Sequence, residues 1–124
     1  METDRTWYAM DGGDTIGERG PGKGTIVADA EYGDPQDADE SDARITLERT
    51  HTGSYVLTGQ VYPWAFGQCE VATMEAAEVV AEAMRDRLEI IAYAIPGEQE
   101  RNLEAKTAHL QQLCHAFEHD FMPL

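Results

Sequence analysis

Five acidic side chains recur at helical spacing in the second half of the chain. They follow one another at steps of three, four, four and three residues, and they are Glu75, Glu78, Glu82, Asp86 and Glu89. On an α-helix this spacing places the carboxylates on one face, with neighbours about 5–6 Å apart. Such an acidic ridge attracts basic proteins, and its charge spacing is near that of the phosphates along a nucleic-acid strand. The alternative interpretation is a solvated outer helix face.

A second acidic segment lies earlier in the chain, where seven acids and no base occur from Asp29 to Asp42. The members that we expect to extend the negative surface are Asp37, Asp39, Glu40 and Asp42. The same segment approximates a calcium-binding loop, with Asp37, Asp39, Ser41 and Glu48 at ligand positions. However, Asp42 stands where such a loop requires glycine, so we predict a solvated acidic loop instead.

A glycine-rich string occupies residues 17–25, with the sequence GERGPGKGT. It resembles the phosphate-binding loop of adenylate-kinase-type nucleotide kinases, whose pattern is Gly-x-x-Gly-x-Gly-Lys-Gly-Thr. The resemblance implies that backbone amides and Lys23 cradle phosphates. In that family a helix follows the loop, whereas here a strand pattern follows it. The alternatives are therefore a small nucleotide-binding protein that uses Gly17–Thr25 and a glycine loop that joins two strands.

Two histidines four residues apart, His115 and His119, share one face of a predicted helix. Zinc needs a third and usually a fourth ligand, and Cys114 points about 100° away from His115. We therefore interpret the pair as surface histidines and predict no metal or other cofactor. Cys69 would lie ~13 Å from the level of Cys114 along the predicted helices, so both are predicted to be free thiols.

Three aromatic residues, Tyr62, Trp64 and Phe66, crowd the predicted junction between sheet and helix. Aromatic side chains at such a junction ordinarily cap the core. The alternative is an exposed anchor for a partner, because aromatic residues dominate binding hot spots. Trp64 and Phe66 are the candidate anchors.

The first half of the chain carries the period-two alternation of strands, and the second half carries helical periodicity. Strand patterns cover residues 5–10, 25–32, 44–50 and 55–62. In the second of them, Ile26 is expected on the same face as Tyr32. Apolar stripes then run from Ala77 to Ile95 and from Leu103 to Phe121. Pro96 separates the stripes, which predicts an antiparallel helical hairpin over residues 70–121.

The composition is strongly acidic. The 124 residues include 24 Asp and Glu against nine Lys and Arg, for a formal net charge of −15. Such a surface disfavours direct contact with nucleic acid and with anionic membranes. No apolar run approaches the ~20 residues of a membrane span, and the first five residues do not resemble a signal peptide. A cytoplasmic location is therefore expected.

These patterns predict one α+β domain over residues 1–124, with an antiparallel sheet of three or four strands over residues 5–62 before the helical hairpin. No pairing of a nucleophile with a base stands out, which favours a non-enzymatic protein. The expected function is to inhibit or sequester a basic partner protein, such as one that handles nucleic acid. Size and charge are those of immunity proteins, anti-CRISPR proteins and other DNA mimics. The alternative is a housekeeping domain of a salt-adapted organism. A homodimer is also compatible with the apolar residues Leu110, Leu113, Phe117 and Phe121.

Overall fold

A computed structural model describes residues 5–34, 36, 42–62, 64–96 and 101–121. Within these residues the chain forms a five-stranded antiparallel sheet followed by two helices, which confirms the α+β prediction. The strands lie side by side in chain order and are β1 (Thr6–Ala9), β2 (Thr25–Gly33), β3 (Ala43–Arg49), β4 (Tyr55–Val61) and β5 (Ala65–Val71). The helices are α1 (Met74–Ala94) and α2 (Leu103–Asp120).

The predicted count of three or four strands is wrong because it omits β5. Along β5 the residues that face the helices are Ala65, Gly67 and Cys69, which are too small to give a clear alternating apolar signal. Gly67 must be small, since a Cβ atom there would lie 2.7 Å from the ring of Phe117 on α2. The sheet therefore continues to Val71, and Cys69 lies on a strand rather than near the start of a helix.

A bulge in β2 changes which of its residues face the helices. The register between β2 and β3 shifts between Ile26 and Ala28, and Ile26 pairs with Glu48. Paired residues of neighbouring strands share a face. Ile26 therefore lies on the opposite face from Tyr32, which packs in the core beneath the helices. The prediction that both residues share one face is wrong for this reason.

Neighbouring residues in the sequence determine where α1 begins and ends. Thr73 caps α1 by accepting a hydrogen bond from the amide of Ala76 at 3.1 Å. Pro96 favours extended backbone at Ile95, where α1 has ended. α1 lies over β3 and β4, while α2 packs against β5 and α1. Neither helix in the described part of the chain combines the length and apolar character that crossing a membrane requires.

The apolar side chains of α2 are used inside this chain. Leu110 and Phe117 are fully buried, while Leu113 and Phe121 are half-buried against the same core. The ring of Phe121 lies 5.0 Å from that of Phe117, centroid to centroid. These four residues therefore do not by themselves require a second copy of the chain.

The other face of the sheet buries polar groups. Asp29 accepts hydrogen bonds from the Arg44 guanidinium and, at 2.9 Å, from the Thr46 hydroxyl. The hydrogen bond to Asp29 raises the pKa of Arg44 above its usual value. Asp29 and Glu31 are both buried. These two acids of β2 consequently add little to the exposed negative surface.

Candidate functional site

The acidic ridge lies on the face of α1 that points away from the sheet. The buried stripe of α1 includes Ala77, Met84 and Leu88, which face the core. Since the ridge lies on the opposite side of the helix, four of its members are exposed to solvent, and these are Glu75, Glu78, Glu82 and Asp86. They span much of the outward surface of α1.

Glu89 differs from the other members of the ridge. It is half-buried, and its carboxylate accepts a hydrogen bond at 3.1 Å from the indole Nε1 of Trp7. Trp7 in turn packs on Tyr32, with ring centroids 5.2 Å apart. Glu89 therefore ties α1 to β1 as well as closing one end of the ridge.

The ridge is not neutralised from within the described part of the chain. Its nearest basic neighbours in sequence are Arg85 and Arg87. Arg87 turns to α2, where it donates a hydrogen bond at 2.7 Å to Asp120. Arg85 lines the cleft between α1 and the sheet. Among the described residues, no lysine or arginine forms an ion pair with a carboxylate of the ridge.

Apolar side chains are exposed beside the ridge. Val79, Ile90 and Tyr93 are 70%, 52% and 73% exposed, respectively. The Arg5 guanidinium lies 5.3 Å from the centre of the Tyr93 ring, a cation–π contact that leaves most of the ring in solvent. Sequence reasoning missed these three as site residues, although none of them belongs to the core stripe of α1. Because large apolar residues outside the core stripe are expected to be exposed, their position on the helix could have identified them as surface residues.

The acidic loop contributes one described residue to the site. Asp42 lies 3.3 Å from the Arg5 guanidinium. Burial raises the pKa of the Asp42 carboxyl, and the Arg5 charge opposes that rise. Asp42 is therefore partly buried and paired rather than free. The other predicted members, Asp37, Asp39 and Glu40, lie outside the described residues.

Of the predicted aromatic anchors, Trp64 lies in the turn between β4 and β5 and Phe66 lies on β5. Trp64 is half-buried against the core. Phe66 is 38% exposed, and its amide donates to Glu118 of α2 at 3.2 Å. Tyr62, which was not among the candidate anchors, is 89% exposed. Of the three, Tyr62 presents the most free aromatic surface.

The glycine string is a loop between β1 and β2, and a strand follows it where a nucleotide kinase has a helix. Its amides at Gly22 and Gly24 each donate a hydrogen bond at 2.8 Å to the carboxylate of Glu48. Glu48 is fully buried on β3. An internal carboxylate thus occupies the amides that a phosphate would need, and Glu48 is unavailable as a calcium ligand.

The histidine pair and the cysteines are separate from the ridge. His115 and His119 are both exposed on α2, and Nδ1 of His119 lies 3.5 Å from Asp120. Within the described ranges, no three His, Cys, Asp or Glu side chains are grouped so as to hold a metal ion. Cys69 and Cys114 are free, as predicted, and burial raises the pKa of the Cys114 thiol.

A cleft of about 300 Å³ separates α1 from β2 and β3. Its floor is apolar and includes Ile45 and Leu57, while Glu78 and Arg85 of α1 also line it. This volume is at the lower limit for small-molecule sites. The outward face of α1 therefore remains the candidate site.

A comparison with protein-family models, curated proteins and solved structures finds no match to this chain.

Proposed function

We propose that this protein is a non-enzymatic binding protein that inhibits or sequesters a basic partner through the outward face of α1. The observation that carries the proposal is the row of four exposed carboxylates that no base of the described chain neutralises. In a chain with a net charge of −15, such a row steers a positively charged surface toward one defined face. Steering raises the association rate more than it raises the final affinity.

Charge spacing supports a partner that handles nucleic acid. From Glu75 to Glu89 the ridge extends ~21 Å along the helix at 1.5 Å per residue. Neighbouring members have Cβ atoms about 5–6 Å apart, while the phosphates of one strand repeat every ~3.4 Å along the helix axis and lie farther apart along the backbone. A basic groove that holds a phosphate backbone would therefore meet a similar row of negative charges. Competition with nucleic acid for that groove is the expected mechanism of inhibition.

The exposed apolar residues beside the ridge support binding rather than solubility alone. Val79, Ile90 and Tyr93 add apolar surface to the outward side of α1, next to the exposed carboxylates. At an interface, such side chains exclude water and hold the complex after charge has guided its formation. Exposed apolar side chains next to the ridge favour a docking face over the alternative of a housekeeping domain from a salt-adapted organism.

The test is capture of the partner from a lysate of the source cells at low and at high salt. Wild type is compared with a ridge variant that carries Glu78→Lys, Glu82→Lys and Asp86→Lys. Glu75 and Glu89 are left intact because Glu75 lies in the first turn of α1 and Glu89 binds Trp7. The matched control carries Asp14→Lys, Glu18→Lys and Glu70→Lys, three exposed acids that lie neither on the ridge nor in the first turn of α1 or α2.

We expect wild type and the control variant to capture the same basic protein at low salt and to release it at high salt. With that protein purified, the ridge variant should associate at least tenfold more slowly and with a weaker dependence on salt. Double-stranded DNA should compete with the wild-type protein for the partner. Equal losses in both triple variants would indicate net charge instead of the ridge, and unchanged binding by the ridge variant would disprove the proposal.

A further inference from the structure

Basic side chains converge at one place on this acidic protein. A cleft of about 600 Å³ lies where the glycine string meets the ends of β2 and β3, and it is lined by Arg19, Lys23, Arg49 and His51. It thus gathers three of the nine Lys and Arg residues of the chain. Its described lining contains no carboxylate, although acids outnumber bases 24 to nine overall. We propose that this cleft binds a small phosphate-bearing molecule.

The three cations are available for such a ligand. Among the described residues, neither Arg19, Lys23 nor Arg49 forms an ion pair with a carboxylate. Arg19 and Arg49 lie on either side of Thr25, because Thr25 pairs with both of them across adjacent strands. Each guanidinium presents a planar fork of N–H donors that suits phosphate oxygens.

Lys23 occupies a backbone conformation that favours glycine. Its φ is +68°, in the left-handed region that few residues other than glycine, asparagine and aspartate adopt. The turn is held by hydrogen bonds from Gly20 N to Gly24 O at 3.0 Å and from Lys23 N to Gly20 O at 2.9 Å. A lysine at a strained position in a glycine-rich turn indicates that its side chain has a use there.

The buried carboxylate of Glu48 holds the glycine string from the interior of the protein. Because its carboxylate already accepts the amides of Gly22 and Gly24, the ligand binds to side chains at the outer surface of the loop. This mode differs from that of a nucleotide-kinase loop, in which the amides themselves hold the phosphates. The buried carboxylate orders the turn that presents Lys23, so the cleft is formed before the ligand arrives.

The charge of the whole protein limits the ligand to a small anion. A net charge of −15 repels an extended polyanion such as DNA or RNA, whose charges would lie along the acidic surface. A small phosphate-bearing molecule contacts only the cleft, and salt screens more distant charges beyond ~8–10 Å. The ligand class is therefore a compact di- or polyphosphate, and binding does not depend on the proposed function of α1.

The test is a titration of the full-length ¹⁵N-labelled protein with potassium pyrophosphate at constant ionic strength. We expect saturable shifts of the amides of Gly17, Lys23, Thr25 and Arg49. Arg49→Gln should weaken binding roughly tenfold, as loss of a charge-assisted hydrogen bond does. The control Arg101→Gln removes the same charge from an exposed residue before α2 and should leave the affinity unchanged.

Lys23→Gly separates a charge effect from a folding effect. This substitution relieves the left-handed backbone, so the protein should become no less stable while pyrophosphate binding weakens. Citrate serves as an equally charged anion without phosphate. The proposal is overturned if millimolar pyrophosphate gives no saturation, if Arg101→Gln costs as much affinity as Arg49→Gln, or if citrate binds as tightly as pyrophosphate.

Discussion

The carboxylate of Glu48 accepts a hydrogen bond from the backbone amide of Gly22 at 2.8 Å, across 26 residues of sequence. The side chain of Glu48 is fully buried, and a Cβ atom at Gly20 would lie 2.4 Å from its Cδ. The close approach explains why the string is rich in glycine: the loop lies directly on a buried carboxylate. The glycines therefore allow the backbone to approach an internal carboxylate closely. In a nucleotide kinase, the same pattern allows the backbone to approach a phosphate.

Glu48→Gln should destabilise the fold by about 1–3 kcal/mol. The oxygen of the glutamine side chain can accept from one of the two backbone N–H groups, but the other N–H group would then face the side-chain NH2, which is itself a donor. Urea unfolding measures the loss. Hydrogen exchange at Gly22 and Gly24 locates it, since both amides should exchange faster. Glu18→Gln, at an exposed position in the same loop, is the control and should change neither measurement. Unaltered protection of both amides would contradict the account.

Gly67→Ala should cost about 1–3 kcal/mol through overpacking. The added methyl group would lie 2.7 Å from Phe117 and 2.9 Å from Phe121, so α2 must move away from β5. Thermal unfolding measures the cost. Combining Gly67→Ala with Phe117→Leu provides the check, because the smaller side chain makes room for the methyl group. Strictly additive losses in the double variant would show that the two residues do not compete for space.

Arg87 and Asp120 link the two helices, and their hydrogen bond leads us to expect that stability depends on pH in the acidic range. The hydrogen bond from Arg87 is the main reason that the pKa of Asp120 lies below its usual value, with His119 adding to the effect. Asp120 therefore binds its proton less tightly in the folded than in the unfolded chain. Its stabilising contribution is complete above the unfolded pKa of about 3.9 and is lost as the pH falls through the lower folded value.

Carbon-13 NMR of the Asp120 carboxyl tests this prediction. In Arg87→Gln the pKa of Asp120 should rise toward its usual range, whereas Arg101→Gln should leave it at the wild-type value. A titration of Asp120 that does not respond to Arg87→Gln would mean that the ion pair is absent in solution.

The sequence predicts the helices and four of the strands because their apolar residues are large and regularly spaced. It misses β5 because the residues of β5 that face α2 are small, and the need for them is set by Phe117, 50 residues away. It also places Ile26 on the wrong face, since a single bulge reverses the alternation. Long-range packing and register are not encoded in local periodicity, so both features require the tertiary structure.

The acidic ridge could be located from the sequence because helical periodicity fixes the direction of each side chain of α1. Three further properties depend on tertiary contacts. Glu89 is bound by Trp7 of β1, Arg87 is drawn to α2, and Asp42 is paired with Arg5. Likewise, the basic cleft forms only when β3 brings Arg49 beside Thr25, and 24 residues separate the two in sequence.

The like charges of the ridge should destabilise the folded protein, and the free energy of unfolding of the Glu82→Lys variant tests this. Glu82 has a like-charged neighbour four residues away on each side, Glu78 and Asp86, and each such pair is unfavourable by ~0.2–0.5 kcal/mol. A lysine converts both repulsions into attractions of similar size, while the attraction to Arg85, three residues further on, becomes a repulsion. The variant should therefore be more stable by about 0.5–1 kcal/mol at low salt. In molar KCl the gain should shrink, because both sets of interactions are exposed and screened.

The same substitution relates this cost to binding. If the ridge exists for a partner, Glu82→Lys should raise the unfolding temperature and at the same time slow association with the captured basic protein. Glu104→Lys gives no such gain, because it places a positive charge in the first turn of α2, where the helix dipole favours an acid. A more stable Glu82→Lys variant that binds the partner as fast as wild type would leave the like-charge row without a binding role. Its repulsion would then be a consequence of overall acidity.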